Sequence, residues 1–277
     1  NLMFTHQLQE AVAGRQLLLL VSPSQVMRHV LKQLQPHLDE TCLLVSAAKG
    51  IDNNTLQLMS EVLEAELGTE VKSRCAFLSG PSFAKEVAQE QPTAVAVAAD
   101  NLQVAHRVQE IFSTDYFRVY TNQDVIGVEI GGALKNVIAL AAGVADGLGF
   151  NYNARAALIT RGLVEIARLG MAMGAVESTF AGLAGMGDLV LTCTGDLSRN
   201  RMVGMELGRG RKLDEILNSM QMVAEGVKTT LSAYHLANKL GVKMPITEQM
   251  YQILYENKDP KLAVADLMQR ALTSEEE

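Results

Sequence analysis

The residue whose type and surroundings point most directly to chemistry is a lysine in an apolar stretch. Lys135 is the one charged side chain between Glu129 and Asp146. An ammonium without a counter-charge in an apolar helix is unfavourable, and the usual response is a lowered pKa. Lowering it from about 10.4 to about 7–8 takes roughly 3–5 kcal/mol and allows proton transfer near neutral pH. We therefore interpret Lys135 as a candidate catalytic residue. The alternative, given equal weight, is that the aliphatic part of the Lys135 side chain is buried while its ammonium group reaches water.

The bulk composition narrows the class of protein. The 277 residues are 48% apolar and 20% charged, which suits two globular domains. A net charge of −7 without a long basic stretch argues against a nucleic-acid binder. No uncharged apolar run reaches the length of a membrane span. The scattered cysteines and histidines lack metal-ligand spacing, so no metal is predicted. Buried thiols in a reducing compartment are the favoured interpretation, which points to the cytoplasm.

Short apolar runs alternate with helical patterns over residues 1–122. Predicted strands cover 17–21, 42–46, 75–78, 93–98 and 117–121. Predicted helices cover 24–34, 54 or 55 to 67, 82–90 and 101–112, with Ser24 as the cap of the first. This alternation predicts βαβ units on a mostly parallel sheet, and hence an α/β first domain.

The strand pattern stops after Asn122. Predicted helices cover 125–148, 154–173, 199–207, 213–220, 227–240, 247–256 and 260–272. We therefore predict an all-helical second domain, residues 123–277. In such a layout the ligand lies between the domains, outside the carboxyl ends of the strands.

Two loops of the first domain carry residues suited to an anion. Lys49 is the first charge after the second strand, where it either faces a phosphate or carboxylate or is an ordinary loop lysine. Gly80-Pro81-Ser82 follows the third strand and precedes a helix. Free N–H groups at a helix start bind anions, but a well-capped loop explains the same residues without a ligand.

Three further candidates lie in the second half. Asp188 follows a glycine-rich segment and either orients a hydroxyl, pairs with a lysine or caps a turn. Ser198-Arg199-Asn200-Arg201 opens a predicted helix, with Ser198 as its cap, and suits a phosphate clamp or a capped surface helix. Glu225 suits a ribose hydroxyl or a helix N-terminal acid.

The joint order of these segments resembles the bacterial NAD(P)-dependent glycerol-3-phosphate dehydrogenases over essentially the whole chain. The matching segments are 48–50 (Ala-Lys-Gly), 79–86, 131–137, 185–194, 198–201, 225–226 and 244–248. The resemblance implies a partial Rossmann-type parallel sheet followed by an all-helical C-terminal domain. It also implies NAD or NADP as cofactor and interconversion of sn-glycerol 3-phosphate with dihydroxyacetone phosphate for glycerophospholipid synthesis. A homodimer is a further expectation.

The same resemblance implies roles for individual residues. Lys135 is the expected proton acceptor from the C2 hydroxyl, with its pKa lowered further by nearby Lys49. The expected substrate residues are Lys49, Gly80, Ser82, Lys135, Asp188, Ser198, Arg199 and Asn200. The expected cofactor residues are Lys49, Ala84, Arg199, Val223 and Glu225.

The chain departs from the family at its start. Family members begin with a strand and GxGxxG, and that segment, on the order of one or two βαβ units, is missing here. We therefore expect strand 17–21 to have an unpaired edge and the pyrophosphate cradle to be lost. A fragment of a longer product is favoured over a degenerate relative. The alternatives are a non-catalytic phosphate-binding or interaction module, and a dehydrogenase of the β-hydroxyacid type.

Overall fold

The computed structural model describes residues 2–220, 224–272 and 274–275. Within these residues one sheet contains five strands, which confirms all five predicted strands. They are β1 (Leu17–Leu20), β2 (Leu43–Ser46), β3 (Cys75–Ser79), β4 (Thr93–Ala98) and β5 (Phe117–Asn122). The order is β1-β2-β3-β4-β5, with β3 and β4 antiparallel and the other neighbours parallel. β1 lies at one end of the sheet, where Leu19 and Val21 are exposed.

The helices of the first half contribute buried residues to the cores beside this sheet, except the short helix at 84–88, which buries none. They are α1 (Leu8–Val12), α2 (Ser24–Leu34), α3 (Met59–Leu67), α4 (Ala84–Ala88) and α5 (Leu102–Phe112). Ser24 is the first helical residue of α2 and Pro23 occupies the cap position, so the predicted serine cap was wrong. The predicted start of α3 was also too early. The Asp52 carboxylate accepts the N–H groups of Asn54 and Thr55, which holds a turn there instead of a helix.

After residue 122, the regular elements within the described residues are all helices. The helices are α6 (Val125–Gly147), α7 (Tyr152–Ala172), α8 (Glu177–Phe180), α9 (Asp188–Thr194), α10 (Arg199–Gly208), α11 (Leu213–Ser219), α12 (Glu225–Leu240), α13 (Pro245–Tyr255) and α14 (Pro260–Met268). Sequence reasoning missed α8, α9 and the π-helical turn Leu183–Gly187 between them. The glycines of this segment resemble a loop in sequence, but its backbone packs directly against α6, where a glycine of α6 leaves room for it. A Cβ at Gly131 would lie 2.5 Å from the Ala184 carbonyl oxygen.

Helix α6 is the centre of the helical half. By length and composition it is the one described helix that would span a membrane, yet 94% of its apolar window is buried inside the protein. Its neighbour α10 touches it backbone to backbone, and four glycines line the contact: Gly143, Gly147, Gly204 and Gly208. A Cβ at Gly143 would lie 2.0 Å from the Arg201 carbonyl oxygen, which no ordinary side chain permits. We call this contact the glycine seam.

Candidate active site

Lys135 lies near the middle of α6 and forms a buried ion pair. Its ammonium donates to Oδ1 of Asp188, the first residue of α9. Lys49, in the loop after β2, donates to the other carboxylate oxygen, with Nζ–Oδ2 at 2.6 Å. Lys135 is 7% exposed and Asp188 1% exposed, so the Lys135 head does not reach bulk water as the alternative interpretation required. One aspartate therefore lies between two lysines.

This arrangement lowers the pKa of Lys135 to about 7 from an ordinary value of 10.5. Burial is the main cause, and repulsion from the Lys49 ammonium is the second. Attraction to Asp188 opposes both but does not cancel them. Burial by itself would raise the pKa of Asp188, but the two lysines outweigh it and hold that pKa below its ordinary value. Asp188 is thus a carboxylate and Lys135 exchanges its proton near neutral pH.

The turn after β3 holds Lys49 in place. Gly80 adopts φ +142°, a conformation that side chains disfavour, and a Cβ there would lie 2.9 Å from the Val95 Cα. Its carbonyl oxygen accepts from Lys49 Nζ at 3.3 Å and from Ser82 Oγ at 3.1 Å. Ala84, two residues further along the chain, begins α4 and is exposed.

The first turn of α10 is fixed by hydrogen bonds. Ser198 Oγ accepts the Arg201 N–H at 3.2 Å, which confirms the predicted cap. The Asn200 amide donates to Asn136 Oδ1 on α6 at 2.8 Å and accepts the Gly226 N–H of α12 at 3.0 Å. Asn200 therefore joins three helices as well as facing the site.

Glu225 begins α12 and reaches the first half of the chain. Its carboxylate accepts the Ser24 N–H at the start of α2, at 3.2 Å. Burial raises the pKa of Glu225, while attraction to Arg199 and the two site lysines limits the rise. Val223, the other residue predicted in this segment, lies outside the described residues.

A cavity of about 410 Å³ joins these elements at the carboxyl ends of β1, β2 and β3. The predicted residues on its wall are Lys49, Ser82, Ala84, Lys135, Ser198, Arg199, Asn200 and Glu225. Gly80 and Asp188 join it through their contacts with Lys49 and Lys135. Sequence reasoning did not select Asn136 and Thr192, which also line the cavity. Asn136 is the one amide in the apolar run of α6, and that contrast was a usable signal.

Comparison with known proteins shows the family to which the chain belongs. The family model for the NAD-dependent glycerol-3-phosphate dehydrogenase N-terminus matches residues 1–105, and that for the C-terminus matches residues 124–265. The chain belongs to this family. A glycerol-3-phosphate dehydrogenase [NAD(P)+] of Syntrophotalea carbinolica is 65% identical over 99% of this chain and 83% of the relative. One of Geobacter metallireducens is 64% identical over 98% of this chain and 81% of the relative.

The fold of this chain is also similar to that of a solved structure from the same family. Glycerol-3-phosphate dehydrogenase from Coxiella burnetii superposes with a TM-score of 0.91 at 41% identity, covering 95% of this chain and 80% of that one. The predicted fold class, a Rossmann-type sheet followed by helices, is thereby confirmed, with the antiparallel β3–β4 pair as the departure from a wholly parallel sheet.

Proposed function

We propose that this chain interconverts sn-glycerol 3-phosphate and dihydroxyacetone phosphate with NAD(P)+ or NAD(P)H. The observation that carries the proposal is a buried lysine with a pKa near 7 on the wall of one cavity with a capped, arginine-bearing helix start. The family membership and the activity named for the close relatives support the same reaction.

Lys135 is the proposed proton-transfer residue. In the reducing direction its ammonium donates a proton to the C2 oxygen as a hydride reaches C2, and in the oxidising direction the neutral amine takes the hydroxyl proton. The nicotinamide supplies or accepts that hydride when it is bound. Lys49 and Asp188 hold Lys135 in place, and burial keeps water from competing for its proton.

The start of α10 is the proposed phosphate site. Ser198, Arg199 and Asn200 lie at its start, where the helix dipole favours an anion. An arginine guanidinium can bind two phosphate oxygens at once. Gly80 and Ser82 are proposed to contact the substrate from the facing turn.

The charged donors on the cavity wall also suit a dinucleotide. Glu225 offers a carboxylate for sugar hydroxyls, and Lys49 and Arg199 offer positive charge, at the strand ends where parallel sheets bind such ligands. We propose Lys49, Ala84, Arg199, Val223 and Glu225 as cofactor residues. We also propose domains at 1–122 and 123–277, a homodimer, a cytoplasmic location, and a product used for glycerophospholipid synthesis.

An assay of the purified chain tests the function. Dihydroxyacetone phosphate should be reduced, with loss of NADH or NADPH absorbance, and titration calorimetry should detect binding of either cofactor. Phosphate binding without turnover and without cofactor binding would instead favour a non-catalytic phosphate-binding module.

A further inference from the structure

A second cluster of charges lies beside the site, and the proton transfer described above does not use it. Asp146, near the end of α6, accepts from Arg201 Nε at 2.7 Å. Its other oxygen accepts from Arg155 of α7, with distances of 3.2 Å to Nε and 2.5 Å to Nη2. The Arg201 side chain is 11% exposed and that of Asp146 8%, so this contact is shielded from water.

Arg201 holds the turn of α10 from two sides. Besides its bond to α6 through Asp146, its Nη1 donates at 3.0 Å to Asp196, in the loop that leads into α10. Its backbone N–H also donates to the Ser198 cap. A single residue therefore ties the cap, the preceding loop and the end of α6 together.

Other contacts around this turn also fix the position of its backbone. Asn200 bridges α6 and α12, and the Arg201 carbonyl oxygen lies against Gly143 in the glycine seam. Arg199, between Ser198 and Asn200, lies on the wall of the site cavity. The turn thus presents one cation to the cavity and uses its neighbours to fix the backbone that carries it.

We propose that Arg201 is a positioning residue for the substrate phosphate. Its bonds to Asp146 and Asp196 hold the first turn of α10 where Arg199 meets the phosphate. This inference rests on the proposed function, since it assumes that the phosphate binds at this turn. A misplacement of about 1 Å in such a turn lowers rates by on the order of 100-fold.

The test compares a phosphorylated ketone with the same ketone lacking phosphate. In Arg201→Gln, kcat/KM for dihydroxyacetone phosphate should fall about 10- to 100-fold, mainly through KM. Reduction of dihydroxyacetone at high concentration should change less than about twofold, because Lys135 and Asp188 are untouched. The pH at which the rate changes should not move.

Two variants serve as controls. Arg155→Gln removes the other ion pair of Asp146 but leaves α10 alone, so it should keep kcat/KM for the phosphorylated ketone within about threefold. Asp196→Ala is the variant to use if Arg201→Gln does not fold, because the Asp196 side chain is 97% exposed and its removal breaks only the loop-side bond of Arg201. It should raise KM for dihydroxyacetone phosphate a few-fold without a change in Tm.

The outcomes separate this inference from the proposed function. Inactive wild-type protein would contradict the function itself. With active wild type, three results would overturn the positioning role. They are equal losses on both ketones in Arg201→Gln, a loss in Arg155→Gln equal to that in Arg201→Gln, and an unchanged KM in Asp196→Ala.

Discussion

Within the described residues, two aspartates with shielded side chains each lie between two cations, and the two clusters have different chemistry. Asp188 lies between Lys135 and Lys49 on the wall of the cavity. Asp146 lies between Arg201 and Arg155 near the far end of the same helix. The pattern of charges is the same, and both aspartate side chains are shielded from water.

The difference lies in the cation. Burial and like charge lower the pKa of Lys135 to about 7, so that cluster exchanges a proton under ordinary conditions. Burial also opposes the charge on Arg201, but hydrogen bonds to Asp146 and Asp196 raise the pKa of that guanidinium above an already high value. The lysine cluster can therefore perform acid–base chemistry, while the arginine cluster can only hold structure.

The strongest test of this contrast replaces the titrating cation by one that does not titrate. Lys135→Arg keeps a positive charge beside Asp188 but cannot give up a proton near neutral pH. We expect kcat to fall about 1,000-fold, within the range of a lost general acid–base residue. Steady-state kinetics measures the loss, and circular dichroism checks the fold. Near-normal turnover would remove Lys135 from the proposed proton transfer.

Replacing each aspartate by asparagine should show that the two clusters have different roles. Asp188→Asn removes the attraction that raises the pKa of Lys135, so that pKa should fall further and reduction at pH 7 should lose about 100-fold. Asp146→Asn leaves two arginines that stay charged, so it should lower the free energy of unfolding by about 3–5 kcal/mol.

The pH profile distinguishes these two variants. Asp188→Asn should move the inflection of kcat/KM to lower pH, whereas Asp146→Asn should leave it unmoved. A shift of equal size in both would show that the two clusters are not functionally distinct.

The wild-type protein should show opposite pH dependence in the two directions. Reduction needs the Lys135 ammonium, which is present below a pKa of about 7, so kcat/KM should fall as pH rises through 7. Oxidation needs the neutral amine, so its kcat/KM should rise through the same pH. Measurement of kcat/KM for reduction and for oxidation between pH 5.5 and 9 checks this. A change of both values in the same direction through pH 7 would contradict it.

The smallest expected effect comes from the second lysine. Lys49→Met removes the repulsion that helps to lower the pKa of Lys135, so the inflection should move up by about one pH unit, or about 1.4 kcal/mol. Substrate binding should weaken as well. Lys72→Met is a matched control, because Lys72 forms an exposed ion pair with Glu64 instead. An unmoved inflection in Lys49→Met would leave burial as the only cause of the low pKa.

The strands and the long helices were predictable because their signals are local. β4 was predicted with its exact bounds, and α6 to within one residue, since apolar runs and helical spacing need no knowledge of the neighbours. The direction of β4 was not predictable in this way. It runs antiparallel to β3, and the choice depends on how the short α4 and its loop reverse the chain.

The sequence was enough to select most residues of the candidate site, but not to predict the ion pairs between them. The predicted set included Lys135, Lys49 and Asp188, but the sequence left Asp188 open between a turn cap and a partner for lysine. In the structure Asp188 is a partner for lysine, because the missed π-helical turn and α9 place it next to α6. Local sequence does not predict a helix in this segment, because glycine has a low helix propensity. Its helical conformation depends on packing against neighbouring elements.

The glycine seam has a mechanical consequence. Side chains between two helices act as a deformable layer, but α6 and α10 meet through main-chain atoms, and a Cβ at Gly204 would lie 2.0 Å from the Leu140 carbonyl oxygen. Such a contact has almost no free volume to lose. The spacing between the ammonium on α6 and the proposed phosphate site on α10 should therefore be nearly incompressible, so we expect hydrostatic pressure to change the sheet before it changes that distance.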